Sequence, residues 1–213
     1  MKLARMLAVC LAFSAVPAAW AQKWELGGSA GGGFGPSTEL TRSTETAKAN
    51  IKPGVAASAW LGNNTNSRWG GEIRYTFQMG DLQLKQNSTT AAFTGETHTI
   101  NYDFQWHATD VDSSSRPYIA FGGGAKVYRG TGAESVTQPL SRFALLTKTQ
   151  EVQGVISIGA GIKTKIGKNW QMRIDVHDYF SRFPAQVIQP NTGTTAGGWM
   201  HNIVPSVGFS WTK

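Results

Sequence analysis

The most restrictive feature of this sequence is an alternation of apolar and polar residues that recurs along the chain. In residues 69–79, Ile73 and Phe77 share one parity, while Glu72 and Arg74 share the other. Successive side chains of a β-strand point to opposite faces, so a two-residue period predicts a strand with one apolar face. The same period recurs in residues 24–34, 98–107, 118–127, 156–163, 170–177 and 202–211, and the small-residue stretch 54–61 is a further candidate of ambiguous phase. The sequence therefore predicts an all-β fold with eight strands.

Residues 1–21 predict a secretory signal peptide that is cleaved. Lys2 and Arg5 form a short basic region before the apolar run 6–16, and an Ala-Trp-Ala segment supplies the small residues that a signal peptidase needs. The apolar run is too short for a membrane-spanning helix, which takes about 20 residues. We expect one domain in the processed chain, residues 22–213.

Composition excludes several kinds of functional site. The single cysteine, Cys10, lies in the predicted signal, so no disulfide or thiolate metal site is expected in the processed chain. The four histidines share no metal-ligand spacing, and we predict no metal, cofactor or catalytic residue. The glycine runs 31–33 and 122–124 precede no helix, which a phosphate-binding loop requires. Basic residues are scattered, so nucleic acid is not an expected partner.

Soluble β-sandwiches and lipocalin-like barrels also alternate, but the lengths of the connections favour a transmembrane barrel. Transmembrane barrels join their strands by long extracellular loops and short periplasmic turns. Long connections at residues 35–50, 84–95, 130–147 and 181–199 alternate here with short ones at 62–68, 108–116 and 167–169. A change of phase at Gly80 and Asp81 predicts a β-bulge.

Tryptophan placement also favours the membrane. An indole ring prefers the boundary between membrane and water. Five tryptophans would lie at the periplasmic edge of the barrel and form an aromatic girdle: Trp24, Trp69, Trp106, Trp170 and Trp211. Trp60 is expected to join them.

Charged residues in the alternating stretches occupy the polar face. A lysine or arginine at mid-depth on a lipid-facing surface costs about 2–4 kcal/mol, so charges should face the barrel interior. Four acids and four bases, together with one histidine, form the predicted interior network: Glu25, Glu72, Arg74, Asp103, Lys126, Lys163, Arg173, Asp175 and His177. His98 is the exception, on the apolar face near the expected outer rim.

These patterns resemble the small outer-membrane β-barrel family, the OmpA-like and OmpX-like transmembrane domains. The resemblance rests on residues 24–34, 102–104 and 116–124 and on the closing strand, where Phe209 and Trp211 approximate the terminal assembly signal. It implies an eight-stranded antiparallel up-and-down transmembrane β-barrel in the bacterial outer membrane. It also implies lipids and lipopolysaccharide as neighbours, and assembly by periplasmic chaperones and the barrel-assembly machinery.

An eight-stranded barrel has an interior just wide enough for side chains. We therefore expect a non-enzymatic membrane protein that displays four extracellular loops for adhesion or for an unknown ligand. One alternative is a lipid-modifying enzyme of the lipid A deacylase or acyltransferase type, with Asp175, His177 and Ser181 as its candidate residues. Another is a periplasmic lipocalin-like binding protein.

Overall fold

The computed structural model describes residues 23–135 and 137–213, so the predicted signal peptide lies outside the described residues. Sixteen strands occur within those two ranges. In chain order they are β1 (Lys23–Gly33), β2 (Thr38–Arg42), β3 (Glu45–Ile51), β4 (Gly54–Asn64), β5 (Trp69–Met79), β6 (Leu82–Gln86), β7 (Thr89–Phe93), β8 (Gly95–His107), β9 (Ser115–Gly130), β10 (Ala144–Leu146), β11 (Gln150–Lys165), β12 (Trp170–Arg182), β13 (Ile188–Pro190), β14 (Thr194–Ala196), β15 (Trp199–Met200) and β16 (Ile203–Thr212). None of the described residues belongs to a helix that could cross a membrane.

Eight of these strands close into an antiparallel barrel. Its members, in order around the wall, are β1, β4, β5, β8, β9, β11, β12 and β16. Each pairs with the next, and β16 returns to pair with β1, so the sheet has no free edge. The eight predicted strands and the up-and-down barrel are confirmed, including the ambiguous stretch that became β4.

The barrel wall is apolar outside and polar inside. Ile73 is 51% exposed on the outer face, whereas its neighbour Arg74 is 1% exposed in the lumen. A sheet that faced water would bury its apolar side chains instead. Because the exposed side chains of the barrel strands are mainly apolar, the outer face is suited to hydrocarbon.

The long connections do not run as loops. They form a second structure, which we call the cap and which consists of β2, β3, β6, β7, β10, β13 and β14 with the segments that join them. Five of these strands form a sheet in the order β14-β2-β3-β6-β7, and β10 pairs with β13. The expected extracellular connections are therefore ordered into short strands, because these segments also alternate and their apolar residues face one another.

The cap has a hydrophobic core of its own. Leu40, Leu84 and Phe143 are completely buried in it. Tyr128, near the end of β9, belongs to the same cluster and connects the cap to the barrel. The full cluster of buried residues is Leu40, Ala47, Ala49, Ile51, Leu82, Leu84, Ala91, Phe93, Tyr128, Phe143, Ala144, Leu146, Phe183, Val187, Ile188 and Met200.

Two tight hairpins build most of the cap sheet. Ser43 turns the chain between β2 and β3, and Asn87 turns it between β6 and β7, with φ values of 53° and 52°. The predicted bulge at Gly80 and Asp81 is also corrected. The chain leaves the barrel there, and the Asp81 carbonyl accepts a hydrogen bond of 2.8 Å from the Lys52 amide.

The opposite end of the barrel, which we call the turn end, carries only short connections. They span residues 65–68, 108–114 and 166–169. The long and short connections therefore alternate as predicted, which places the cap and the turn end on opposite sides of the barrel.

Candidate functional site

The barrel interior contains a cluster of six buried charged side chains, which we call the lumen network. Its members are Glu25, Glu72, Arg74, Lys163, Arg173 and Asp175. Three are carboxylates and three are cations, so the formal charges cancel. Each is 5% exposed or less, so a missing partner would leave a buried charge uncompensated.

Two arginines connect opposite walls of the barrel. Arg74 on β5 donates through Nη2 to Asp175 Oδ2 on β12 at 3.0 Å, and through Nε to Glu72 Oε1 at 2.9 Å. In the opposite direction, Arg173 on β12 donates to both carboxylate oxygens of Glu72 on β5. Because β5 and β12 lie four positions apart in an eight-stranded ring, these ion pairs cross the full width of the lumen.

A second connection crosses the lumen from β11 to β1. Lys163 Nζ donates to Glu25 Oε2 at 2.6 Å and to Gln105 Oε1 at 2.9 Å. Gln105 Nε2 in turn donates to Glu72 Oε2 at 2.9 Å, which joins this pair to the arginines. The network therefore fills the lumen with side chains that hold one another.

Trp60 is part of this interior, so its expected place in the aromatic girdle is wrong. Its side chain is 2% exposed, and the indole nitrogen donates to Glu25 Oε1 at 3.1 Å. The guanidinium carbons of Arg74 and Arg173 lie 4.8 and 4.6 Å from the ring, within cation–π range. The small residues around Trp60 give no clear alternation, so the sequence does not show which way the ring points.

Three further predicted interior residues are buried but lie outside the lumen network: Asp103, Lys126 and His177. His177 Nε2 lies 3.3 Å from Asp103 Oδ2. Lys126 Nζ lies 5.0 Å from the centre of the Tyr128 ring and has no hydrogen-bond partner.

The candidate catalytic residues are only partly brought together. His177 Nδ1 is 3.9 Å from Asp175 Oδ2, but that carboxylate oxygen already accepts from both arginines and from Tyr118. The Ser181 hydroxyl shares a hydrogen bond of 2.5 Å with Tyr128. All three candidates face the lumen rather than the lipid.

The five tryptophans of the predicted girdle lie on the outer face at the turn end. They are 38–53% exposed. Trp69 is paired in register with Trp106, and Trp170 is paired with Trp211, so the two tryptophans of each pair lie side by side on neighbouring strands.

Several interior residues were not singled out from the sequence. Tyr118 donates to Asp175 Oδ2 at 2.8 Å, and Ser206 donates to Asp175 Oδ1 at 2.6 Å. Their parity, and that of Gln105, already places them on the polar face. The sequence predicts Arg116 in the short connection 108–116, but it faces the lumen because β9 begins at Ser115.

Within the described ranges, no group of three or more His, Cys, Asp or Glu side chains is arranged to hold a metal ion. The side chains of the lumen network neutralise one another's charge and fill the interior of the barrel. The surfaces that remain available for contact are the cap, the lipid-facing wall and the turn end.

Comparison with known proteins supports a membrane barrel. The family model described as outer membrane protein beta-barrel domain matches residues 6–210. The fold is similar to that of Neisserial surface protein A (NspA), with 11% identity, 90% of this chain and 99% of that chain covered, and a TM-score of 0.53. It is also similar to OprG from Pseudomonas aeruginosa, with 10% identity, 91% and 96% coverage and a TM-score of 0.58. No curated protein matches the sequence significantly.

Proposed function

Because the chain belongs to the outer membrane protein beta-barrel family, we propose that it is a non-enzymatic surface-display protein of the bacterial outer membrane. The barrel holds the protein in the membrane, and the cap contacts an extracellular partner. One observation carries this proposal: the long connections form an ordered cap with its own sheet and core, above a lumen that side chains fill. An ordered cap is a preformed contact surface, which lowers the entropic cost of binding.

The contacts of the candidate residues Asp175 and Ser181 support this proposal. A general base must lie within hydrogen-bond reach of the proton it takes. Ser181 is engaged with Tyr128, and Asp175 is neutralised by two arginines. A lipid-modifying enzyme would also need these groups on the outer face, where its substrate lies.

The outer face of the cap sheet suggests an acidic partner. Lys48 and Lys85 lie directly opposite each other on β3 and β6, and both are exposed. Like charges in that position destabilise a sheet. Glu39, on the other side of Lys48, offsets only one of the two charges. An anionic polymer at the cell surface would neutralise the pair.

The membrane partners form part of the same proposal. Lipids and lipopolysaccharide surround the apolar outer wall, and periplasmic chaperones and the barrel-assembly machinery insert the chain. The closing strand supports the second point, because Phe209 and Trp211 are exposed on its outer face.

Charge reversal in the cap tests the proposed function. Intact cells that express Lys48→Glu together with Lys85→Glu would be compared with cells that express Lys165→Glu together with Lys168→Glu at the turn end. The measurement is attachment to a surface coated with alginate, a carboxylated polysaccharide. We expect the cap variant to attach no better than cells without the protein, and the turn-end variant to attach like the wild type. Equal attachment of all strains, with or without the protein, would refute a cap that binds acidic polymers.

A further inference from the structure

The turn end contains a basic pocket that the surface-display function does not use. The pocket has a volume of about 360 Å³ and is lined in part by Arg116, Lys165, Lys168, Gln171 and Lys213. It lies at the turn end of the barrel, where β9, β11, β12 and β16 begin or end. We call it the turn-end pocket.

Arg116 is the buried cation of this pocket. It is 2% exposed, and its two hydrogen bonds go to neutral oxygens: Asn64 Oδ1 and the Ser67 carbonyl, each at 3.1 Å. Its Nε–H has no partner. A buried guanidinium without a paired anion is costly, and each unused donor adds to that cost.

The neighbours of Arg116 increase the positive charge. Lys163 lies directly opposite it across β9 and β11, and the Lys163 ammonium is already engaged by Glu25 and Gln105. Lys165 and Lys168 are exposed at the pocket rim. This differs from the lumen network, where every cation meets a carboxylate.

Acidic residues of the adjacent turn offset part of this charge. Glu25 of the lumen network attracts Arg116 most strongly, and the turn residues Asp110 and Asp112 attract it as well. Asp110, however, is mostly exposed and forms its ion pair with Arg68 at 3.2 Å. Neither residue is among those that line the pocket.

We propose that the turn-end pocket binds a phosphate group carried by a small polyol. Phosphate presents several acceptor oxygens, which suit the Arg116 guanidinium and the ammonium groups of Lys165 and Lys168. The pocket is larger than a bare ion, and the unpartnered Oε1 of Gln171 accepts a hydroxyl of the polyol. The group belongs to a phospholipid of the inner leaflet or to a free phosphorylated solute of the periplasm.

The pocket lies at the depth of the aromatic girdle, on the inner side of the barrel wall. Gln171 and Thr212, which line it, directly adjoin Trp170 and Trp211. Exposed indoles mark the boundary between membrane and water. This inference does not rest on the proposed role of the cap, which lies on the other side of the barrel.

The test is a titration of the full processed chain, first in dodecyl maltoside micelles, which contain no phosphate. Glycerol 3-phosphate and inorganic phosphate are added separately while nitrogen NMR follows the Arg116 Nε–H signal. Sodium chloride at equal ionic strength is the control for screening. We expect a saturable shift with a phosphate probe and none with chloride. Nanodiscs of phosphatidylglycerol form the second arm, and a shift there without any added solute identifies the lipid as the source.

Variants assign the binding to this pocket. Lys165→Gln together with Lys168→Gln removes two exposed charges, and Lys48→Gln with Lys85→Gln removes two from the cap as a matched control. We expect the turn-end variant to weaken binding about tenfold or more, and the cap variant to leave it unchanged. Arg116→Gln should abolish binding, and its heat-modifiable migration on a detergent gel reports whether the barrel still forms. A shift that is absent in both arms, or that saturates at the same phosphate concentration after removal of both lysines, would overturn the proposal.

Discussion

The barrel wall and the cap are built from the same kind of sheet but bury opposite faces. In the wall, Ile73 is exposed and Arg74 is buried; in the cap, Leu84 is buried and Lys85 is exposed. Both regions are antiparallel and both alternate with a period of two. The difference shows that alternation defines two faces, while the surrounding solvent decides which face becomes the core.

The two cores are also held together differently. The interior of the barrel depends on specific ion pairs, because a buried charge without its partner is strongly unfavourable. The core of the cap depends on close packing of apolar side chains. Removal of a charged side chain should therefore destabilise the barrel interior most, and truncation of an apolar side chain should destabilise the cap most.

The largest expected effect is the loss of one arginine from the lumen network. Arg173→Met leaves Glu72 and Asp175 without a main partner, and we expect a loss of about 3–5 kcal/mol in the free energy of unfolding. Urea unfolding in lipid vesicles measures it. Arg129→Met is the control, because that exposed arginine pairs with Glu96 at the surface and should cost about 1 kcal/mol or less. Equal losses in the two variants would show that the network is not a stabilising core.

Leu84→Ala should damage the cap and spare the barrel. The buried leucine leaves a cavity, which costs about 2–5 kcal/mol. We expect faster hydrogen exchange in the cap amides, faster cleavage of the cap by protease on intact cells, and unchanged heat-modifiable migration of the barrel. Leu145→Ala, at a residue that is 39% exposed, is the matched control. Simultaneous unfolding of both regions would mean that they are one cooperative unit.

An arginine substituted on the outer face distinguishes a wall that contacts hydrocarbon from a cap that contacts water. Ile73→Arg in the wall should cost about 2–4 kcal/mol, because the side chain enters hydrocarbon. Thr46→Arg on the outer face of the cap should change stability by no more than about 0.5 kcal/mol, since that face meets water. Unfolding of the barrel and hydrogen exchange of the cap are the respective measurements. A wall that tolerates the arginine as well as the cap does would contradict a lipid-facing surface.

The smallest expected effect is a gain in the stability of the cap sheet. Lys85→Thr removes the like-charged neighbour of Lys48 and should stabilise the cap sheet by about 0.2–1 kcal/mol. Hydrogen exchange of the amides in β3 and β6 would report it, with Lys168→Thr at the turn end as the control. A destabilised sheet would imply that Lys85 makes a contact that offsets the repulsion.

Much of the barrel could be predicted because its signal is local. The stretches around Ile73, Tyr102 and Ile174 each carry a long, clean alternation, and the period alone assigns every residue to one face. The same parity placed Gln105 and Tyr118 inside the barrel, although their role in the lumen network was not anticipated. The candidate pocket was not found, because Arg116 stands at a strand end, where sequence patterns define boundaries poorly.

The cap could not be predicted in the same way. Its strands are short, and residues such as Ala47, Ala49 and Ala91 carry little hydrophobic signal by themselves. They become a core only when connections that are distant in sequence meet above the barrel. Asn87 and Ser43 fit tight turns, but no local feature shows which hairpins pair with each other.

The sequence by itself determined the number of barrel strands, the polar and apolar faces, and the alternation of long and short connections, because all of these follow from a period of two residues. The tertiary structure decided which charges pair across the lumen, that Trp60 points inward, and that Arg116 keeps an unused donor. Those outcomes depend on barrel closure and on the stagger of its strands, which bring together residues a hundred positions apart.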